Sequence, residues 1–136
     1  MAKKSKVKVL LALFPLETHS RGLLTVAGML RDAGMEVVLM GNALPELVAE
    51  TALQETADVI GISTYCGGEV ALGRELLKAA EEKGIKDRTV FLIGGIFPQA
   101  NIPKLKKIGF DGTFLSATKE DIVSCIEKSI AAKKAG

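Results

Sequence analysis

The sequence predicts an α/β protein of the flavodoxin-like (Rossmann-like) class, a three-layer sandwich around a five-stranded parallel sheet of order 2-1-3-4-5. Two observations predict this class. Short, nearly continuous apolar runs alternate five times with segments of helical periodicity. The connections between them are short, as in sheets covered by helices on both faces. In that strand order the topological switch point, where such folds hold ligands, lies between strands one and three.

The first half of the chain predicts two strands and two helices. Residues 6–14 are apolar and β-branched, and this strand ends at Pro15. The helix that follows repeats apolar residues at helical spacing up to Gly34, which suits a helix end. Residues 36–40 then form the second strand. The second helix begins at Pro45, a residue favoured at the first helical position.

The third strand covers residues 58–63, again a nearly continuous apolar run. The third helix covers residues 70–83 and ends at Gly84. The fourth strand covers residues 89–93 and runs into the pair Gly94-Gly95. This strand therefore ends in a loop that a ligand could approach closely.

The last part of the chain predicts a short helix, a brief strand and a long helix. The short helix covers residues 99–108, and the fifth strand covers residues 111–115. The final helix covers residues 119–133. Thr118 with Asp121 three residues later forms an acidic variant of the capping box at its start.

Length and composition indicate one domain over residues 1–136, with residues 1–5 and 132–136 as flexible tails. Hydrophobic residues make up 48%, which excludes disorder. A net charge of +2 with 4% aromatic residues favours no nucleic-acid surface. Neither a membrane span nor a signal peptide is recognisable, so we expect a cytoplasmic protein with Cys66 and Cys125 as free thiols.

Three unusual loops converge on the predicted switch point. Glu17-Thr18-His19-Ser20-Arg21-Gly22 follows the first strand and contains the only histidine. Ser63-Thr64-Tyr65 ends the third strand, and Gly94-Gly95 ends the fourth. Each loop alone could be a plain surface loop, a helix cap or a turn. Together, small and polar loop tips at one sheet edge predict a ligand cleft.

The sequence argues against two functions common in this fold, nucleotide binding and phosphoacceptance by a response-regulator receiver. No Gly-rich phosphate loop and no G-x-G-x-x-G follows the first strand. A response-regulator receiver needs a phosphoacceptor aspartate at the end of the third strand, where Ser63 stands instead. The cleft is therefore expected to hold another kind of ligand.

The three motifs resemble the D-x-H-x-x-G, S-x-L and G-G signatures of the cobalamin (B12)-binding domain family. The resemblance covers roughly residues 6–130 and is greatest to the small subunit or C-terminal domain of methylmalonyl-CoA mutase-type acyl-CoA mutases. It implies that His19 is the lower axial ligand of cobalt in a base-off, His-on cofactor, with Glu17 accepting a hydrogen bond from its other ring nitrogen. No further catalytic residue is implied on this chain.

The resemblance also implies the set of residues that contact the cofactor. They are Glu17, Thr18, His19, Ser20, Arg21, Gly22, Ser63, Tyr65, Gly67, Gly94, Gly95, Phe97, Phe114 and Thr118. Three positions depart from the family pattern. Glu17 replaces an aspartate, Tyr65 replaces a leucine, and the segment 115–118 keeps only the threonine of the family's G-P-G-T.

By resemblance, the chain is the cobalamin-binding small subunit of an adenosylcobalamin-dependent carbon-skeleton mutase, an acyl-CoA isomerase that is not active alone. Its partner would be a large TIM-barrel subunit that binds acyl-CoA; neither nucleic acid nor membrane is implied. The alternative is a stand-alone corrinoid carrier or sensor for methyl transfer or cofactor delivery, with methylcobalamin the less favoured form. A third reading is a flavodoxin-like protein that has lost its ligand, with His19 merely structural.

Overall fold

Strands and helices alternate throughout the computed structural model, which describes residues 6–15, 20–65, 67–115 and 118–135. The strands β1 to β5 are Lys8–Leu13, Glu36–Asn42, Val59–Thr64, Val90–Gly95 and Gly112–Phe114. The helices α1 to α5 are Arg21–Asp32, Pro45–Glu55, Glu69–Glu82, Ile102–Ile108 and Lys119–Ala135. Short 3-10 turns at Lys86–Arg88 and Gln99–Asn101 precede β4 and α4.

The five strands form one parallel sheet in the order β2-β1-β3-β4-β5, so the predicted fold class and strand order are confirmed. The register aligns the carboxyl ends of the central strands. Leu13 of β1 pairs with Ser63 of β3, which pairs with Gly94 of β4. Gly94 in turn pairs with Phe114 of β5. Three residues predicted for the ligand cleft therefore lie in one row across the sheet.

Two apolar layers cover the sheet. On one face, Val9, Leu11 and Leu92 pack against Leu30 of α1 and Ile126 of α5. The opposite face packs against α2, α3 and α4. Its core includes Ile60, Ile93, Val48, Leu76 and Leu105. Because alternate residues of a strand point to opposite faces, each central strand contributes apolar side chains to both layers.

The edge strand β2 is longer than the sequence predicts. It continues through Gly41 and Asn42, two residues beyond the predicted end at residue 40. The β1–β2 register shifts between Leu11 and Ala12, so that Ala12 pairs with Gly41. Gly41 has a φ of 78°, which glycine adopts without strain. A bulge at this glycine thus lets the pairing continue to Asn42.

Other element boundaries differ by one or two residues. β1 is shorter than the predicted 6–14, and β3 extends through Thr64. The predicted helix 99–108 is a 3-10 turn followed by α4, with Pro103 in the first turn of the α-helix, where its missing N–H leaves no bond unmade.

The start of α5 confirms the predicted capping box. The Thr118 N–H donates to Asp121 Oδ2 at 3.1 Å, and the Asp121 N–H donates to Thr118 Oγ1 at 3.2 Å. α5 continues through Ala135, past the predicted helix end at residue 133 and into the predicted tail of residues 132–136. Lys133 Nζ lies 3.5 Å from Asp111 Oδ2, and this ion pair ties the last turns of α5 to the start of β5.

The structure also bears on the expected absence of a membrane span and on the expected free thiols. Within the described residues, no helix has both the length and the apolar character that crossing a membrane requires. Cys125 is a free thiol, as predicted. Cys66 lies outside the described residues.

Candidate functional site

A cavity of about 180 Å³ lies between α1 and α5 on the sheet. Its walls are mostly apolar, and among the described residues that line it the only polar side chains are those of Ser63 and Tyr65. An apolar cavity with a few placed hydroxyl groups is the usual character of a small-molecule site. The cavity is thus the candidate site of this chain.

The cavity exists because the floor of the sheet carries small residues. Gly61 and Ser63 lie on the same face of β3 as Val59, and Gly94 lies on the same face of β4 as Val90 and Leu92. Small residues thus replace large ones toward the carboxyl ends of these two strands. These small residues leave room between the sheet and the two helices.

Neighbouring atoms also limit what could replace the two glycines. A Cβ built on Gly94 would lie 3.2 Å from the carbonyl oxygen of Phe114. A Cβ built on Gly61 would lie 2.7 Å from Leu11 Cδ2. Glycine therefore suits both positions at the cavity floor, because neighbouring protein atoms already lie where a Cβ would be.

Gly95 closes the end of β4 through backbone contact. Its φ is 139°, in the region that L side chains avoid, and a Cβ there would collide with the carbonyl oxygen of Thr64. The N–H of Ile96 donates to that same carbonyl at 3.2 Å. Glycine is therefore required at position 95 for the ends of β3 and β4 to meet.

Six of the residues predicted from the resemblance come together around this cavity. They are Gly22, Ser63, Tyr65, Gly94, Gly95 and Phe114. Ser63 is buried at the end of β3, whereas Tyr65 is half-buried just beyond it. A Cβ built on Gly22, at the start of α1, would lie 3.0 Å from Tyr65 Oη. The predicted motifs thus converge at the carboxyl ends of β3 and β4.

Other predicted residues lie elsewhere. Phe97 is buried in the core on the opposite face of the sheet, against α2, α3 and α4, and it does not line the cavity. Thr118 forms the cap of α5. Ser20 and Arg21 are exposed at the start of α1, and Gly67 stands in the β3–α3 loop with a φ of 86°. None of these last four lines the cavity.

The motif around the only histidine falls outside the described residues. Glu17, Thr18 and His19 all belong to this segment. β1 ends at Leu13, and the next described stretch begins at Ser20, one residue before α1. Since β1 ends in register with Ser63, the connection that carries His19 starts from the same sheet edge as the cavity.

Several cavity residues are absent from the predicted set. Gly61 forms part of the floor, and Val26, Leu115 and Ile122 belong to the walls. An isolated glycine inside a strand often marks close approach by a ligand or another backbone, so the sequence did carry a signal for Gly61. Val26 and Ile122 are ordinary core side chains at helical spacing and carry none, whereas Leu115 begins the segment 115–118 that stands in place of the family's G-P-G-T.

Comparison with known proteins shows which family this chain is similar to. The B12 binding domain matches residues 7–123. The chain is 35% identical to the 2-hydroxyisobutanoyl-CoA mutase small subunit of Aquincola tertiaricarbonis, over 97% of this chain and 98% of that protein. It is 34% identical to the pivalyl-CoA mutase small subunit of Xanthobacter autotrophicus, over 88% of this chain and 81% of that protein.

A solved structure shares the fold. A cobalamin-binding protein from Desulfitobacterium hafniense superposes with a TM-score of 0.78 at 20% identity, covering 90% of this chain and 58% of that one. Its similarity supports the architecture, while the two mutase subunits support the family. The resemblance found in the sequence motifs is thereby confirmed, and the chain belongs to the B12-binding domain family.

Proposed function

We propose that this chain is the cobalamin-binding small subunit of an adenosylcobalamin-dependent acyl-CoA mutase. One observation carries the proposal: the chain spans 98% of a mutase small subunit and has a cavity at the row of small residues formed by Ser63 and Gly94. The small subunit would hold the cofactor, and a separate large subunit would hold the substrate. Such an enzyme is an isomerase that needs both chains.

The residues of the cavity fit the nucleotide tail of cobalamin. Gly61 and Gly94 add no side chain of their own to the cavity floor, and a flat aromatic base could lie against this part of the sheet. The Ser63 hydroxyl is placed to hydrogen-bond a polar atom of the tail. Ligand pockets usually measure about 300–1,000 Å³. A cavity of about 180 Å³ would therefore have to widen on binding.

His19 is proposed as the axial ligand of cobalt and Glu17 as its hydrogen-bond partner. Neutral imidazole is a suitable ligand for a transition metal of intermediate softness. A carboxylate on its second ring nitrogen would fix the tautomer and raise the basicity of the ligand. Adenosylcobalamin, when bound, supplies the radical chemistry of carbon-skeleton rearrangement. The role of this chain is to bind and orient the cofactor.

The proposed partner is a TIM-barrel large subunit that binds the acyl-CoA. Two relatives are small subunits of mutases for 2-hydroxyisobutanoyl-CoA and pivalyl-CoA, so an acyl-CoA is the expected class of substrate. Among the described residues that line the cavity there is no carboxylate, imidazole or amine to act as an acid or base in the reaction. A second chain over the sheet edge would cover the reactive face of the cofactor and exclude water.

A cobalamin titration tests the cofactor part of the proposal. Adding the purified chain to adenosylcobalamin should shift the absorption spectrum to the base-off form. His19→Ala should abolish the axial-imidazole component. Gly28→Ala serves as the control, because a Cβ there meets nothing within 4 Å. A shift that persists unchanged in His19→Ala would overturn the axial role of His19.

Reconstitution tests the enzymatic part. The chain loaded with adenosylcobalamin should isomerise a branched acyl-CoA, such as 2-hydroxyisobutanoyl-CoA, only when a mutase large subunit is added. The matched control is the His19→Ala chain with the same large subunit. Cobalamin binding without complex formation or isomerase activity would favour the carrier or sensor alternative.

A further inference from the structure

Glu69 is a buried acid that the proposed cofactor contacts do not use. It is the first residue of α3, and only 2% of it is exposed. Its Oε2 accepts a hydrogen bond from the Asn101 side-chain amide at 2.6 Å. Its Oε1 is also buried and has no hydrogen-bond partner in the described part of the chain.

This hydrogen bond joins two loops that leave the same sheet edge. Glu69 follows the loop after β3, which contains Tyr65. Asn101 follows the loop after β4, whose last residue is Gly95. The side chain of Asn101 stands at the N-cap position of α4 but makes no capping bond there, so its amide is available to Glu69.

Stability does not explain a glutamate at this position. The positive end of the α3 dipole favours its charge. Even so, burying a carboxylate with one oxygen unpaired is costly, and an apolar side chain of similar volume often serves as well or better. A buried polar group that stability does not require is a candidate for a functional role.

We propose that Glu69 is a positioning residue for cofactor binding. By holding Asn101, it fixes the distance between the β3–α3 and β4–α4 loops beneath the sheet edge. Tyr65 is the first residue after β3 and Gly95 the last residue of β4, and both line the cavity on the opposite face of the sheet. The inference rests on the proposed cobalamin site and identifies the group that keeps its two loops in register.

The variant Glu69→Leu distinguishes an effect on cofactor binding from an effect on folding stability. The free energy of unfolding of this variant should equal or exceed that of the wild type, because a buried, half-paired carboxylate is replaced by an apolar group. Asn101 is half-buried, so its amide can bond to water instead. The Kd for adenosylcobalamin should rise by about 10-fold, the loss typical when support for a ligating group is removed.

Exchanging donor and acceptor provides the rescue. Asn101→Asp alone places two carboxylates together, so cobalamin binding should weaken as in Glu69→Leu. Adding Glu69→Gln restores the bond with its polarity reversed, since the new amide donates to the new carboxylate. The double variant should bind cobalamin within about two-fold of the wild type if the pair acts as a unit.

The outcomes distinguish this inference from the proposed function. A wild-type chain that binds no cobalamin would overturn both. Wild-type binding with an unchanged Kd in Glu69→Leu would overturn only the positioning role. A Kd that follows the free energy of unfolding in every variant, without rescue in the double variant, would also assign Glu69 a purely structural role.

Discussion

The hydroxyl oxygen of Tyr65 lies beside Gly22, close enough that a Cβ on Gly22 would be 3.0 Å away. The contact joins the end of β3 to the first turn of α1, at the side of the cavity nearest the carboxyl ends of the strands. Both residues line that cavity. A change in either one must therefore alter the space available to a ligand.

Gly22→Ala is expected to weaken cobalamin binding. Alanine suits a helix better than glycine, but its Cβ forces the Tyr65 ring to shift. The displaced ring takes up space in the cavity, so the Kd should rise by about 5-fold, which corresponds to about 1 kcal/mol of binding free energy. Absorption titration with adenosylcobalamin measures this.

The same substitution elsewhere in α1 provides the control. Gly28→Ala meets nothing within 4 Å, so it should leave the Kd unchanged and stabilise the helix by about 0.5–1 kcal/mol. Removing the hydroxyl in Gly22→Ala/Tyr65→Phe leaves the ring carbon Cζ 4.0 Å from the new Cβ, so the double variant should bind more tightly than Gly22→Ala. Equal Kd values for Gly22→Ala and Gly28→Ala would show that the Tyr65 contact is unimportant.

The sequence predicts the strand order and the convergence of the loops better than the direction of individual side chains. The alternation of apolar runs fixes which strand ends meet, and Ser63 and Gly94 follow from that. Phe97 was expected at the cofactor, yet it packs on the opposite face. The chain turns at Gly95 with a φ of 139°, and only the contacts with Thr64 determine that turn.

The same limit applies to the interior of strands. Gly61 lies within a nearly continuous apolar run, and an isolated glycine there indicates a close approach without saying which face of the sheet is approached; in the structure it forms the cavity floor. The β2 extension likewise depends on a bulge at Gly41, where local residues alone favour a turn. Tertiary pairing decides both cases.

Gly94→Val should block the cavity. The new Cβ meets the backbone carbonyl of Phe114 at 3.2 Å, and the branched methyl groups would project over the floor. Overpacking of this kind costs about 1–3 kcal/mol of stability, and cobalamin affinity should fall by more than about 10-fold. Urea unfolding and absorption titration give the two quantities.

Gly61→Ala is the matched strand variant. Its Cβ would meet Leu11 Cδ2, the far end of a flexible side chain, which can rotate away more readily than backbone. Its loss of stability should therefore be smaller than that of Gly94→Val. If Gly94→Val bound cobalamin as tightly as the wild type, the tail of the cofactor would have to lie elsewhere.

Gly95→Ala should be the most destabilising of the glycine substitutions. The φ of 139° and the collision with the Thr64 carbonyl both have to be relieved, and we expect a loss above about 3 kcal/mol in the free energy of unfolding. Gly34→Ala isolates the effect of backbone strain. Gly34 has a φ of 88° with nothing within 4 Å of its Cβ, so its loss should be about 1–2 kcal/mol. Similar losses at the two sites would contradict the close β3–β4 contact.

Thr118 has a confirmed role as a helix cap and a proposed role as a cofactor contact. Comparing variants of Thr118 and Asp121 separates the two roles. Both residues exchange hydrogen bonds in the capping box of α5. Thr118→Ala and Asp121→Ala should each lower the free energy of unfolding by about 1 kcal/mol, because each leaves N–H groups of the first turn unpaired. Thr118→Ala should in addition weaken cobalamin binding.

Thr118→Ser retains the hydroxyl oxygen and should preserve both stability and affinity. Unfolding by urea and titration with adenosylcobalamin, carried out on all three variants, would distinguish the roles. If Thr118→Ala and Asp121→Ala lost affinity equally, the effect would come from the start of α5. If neither lost affinity, Thr118 would be a helix cap alone, and the cofactor would be held without it.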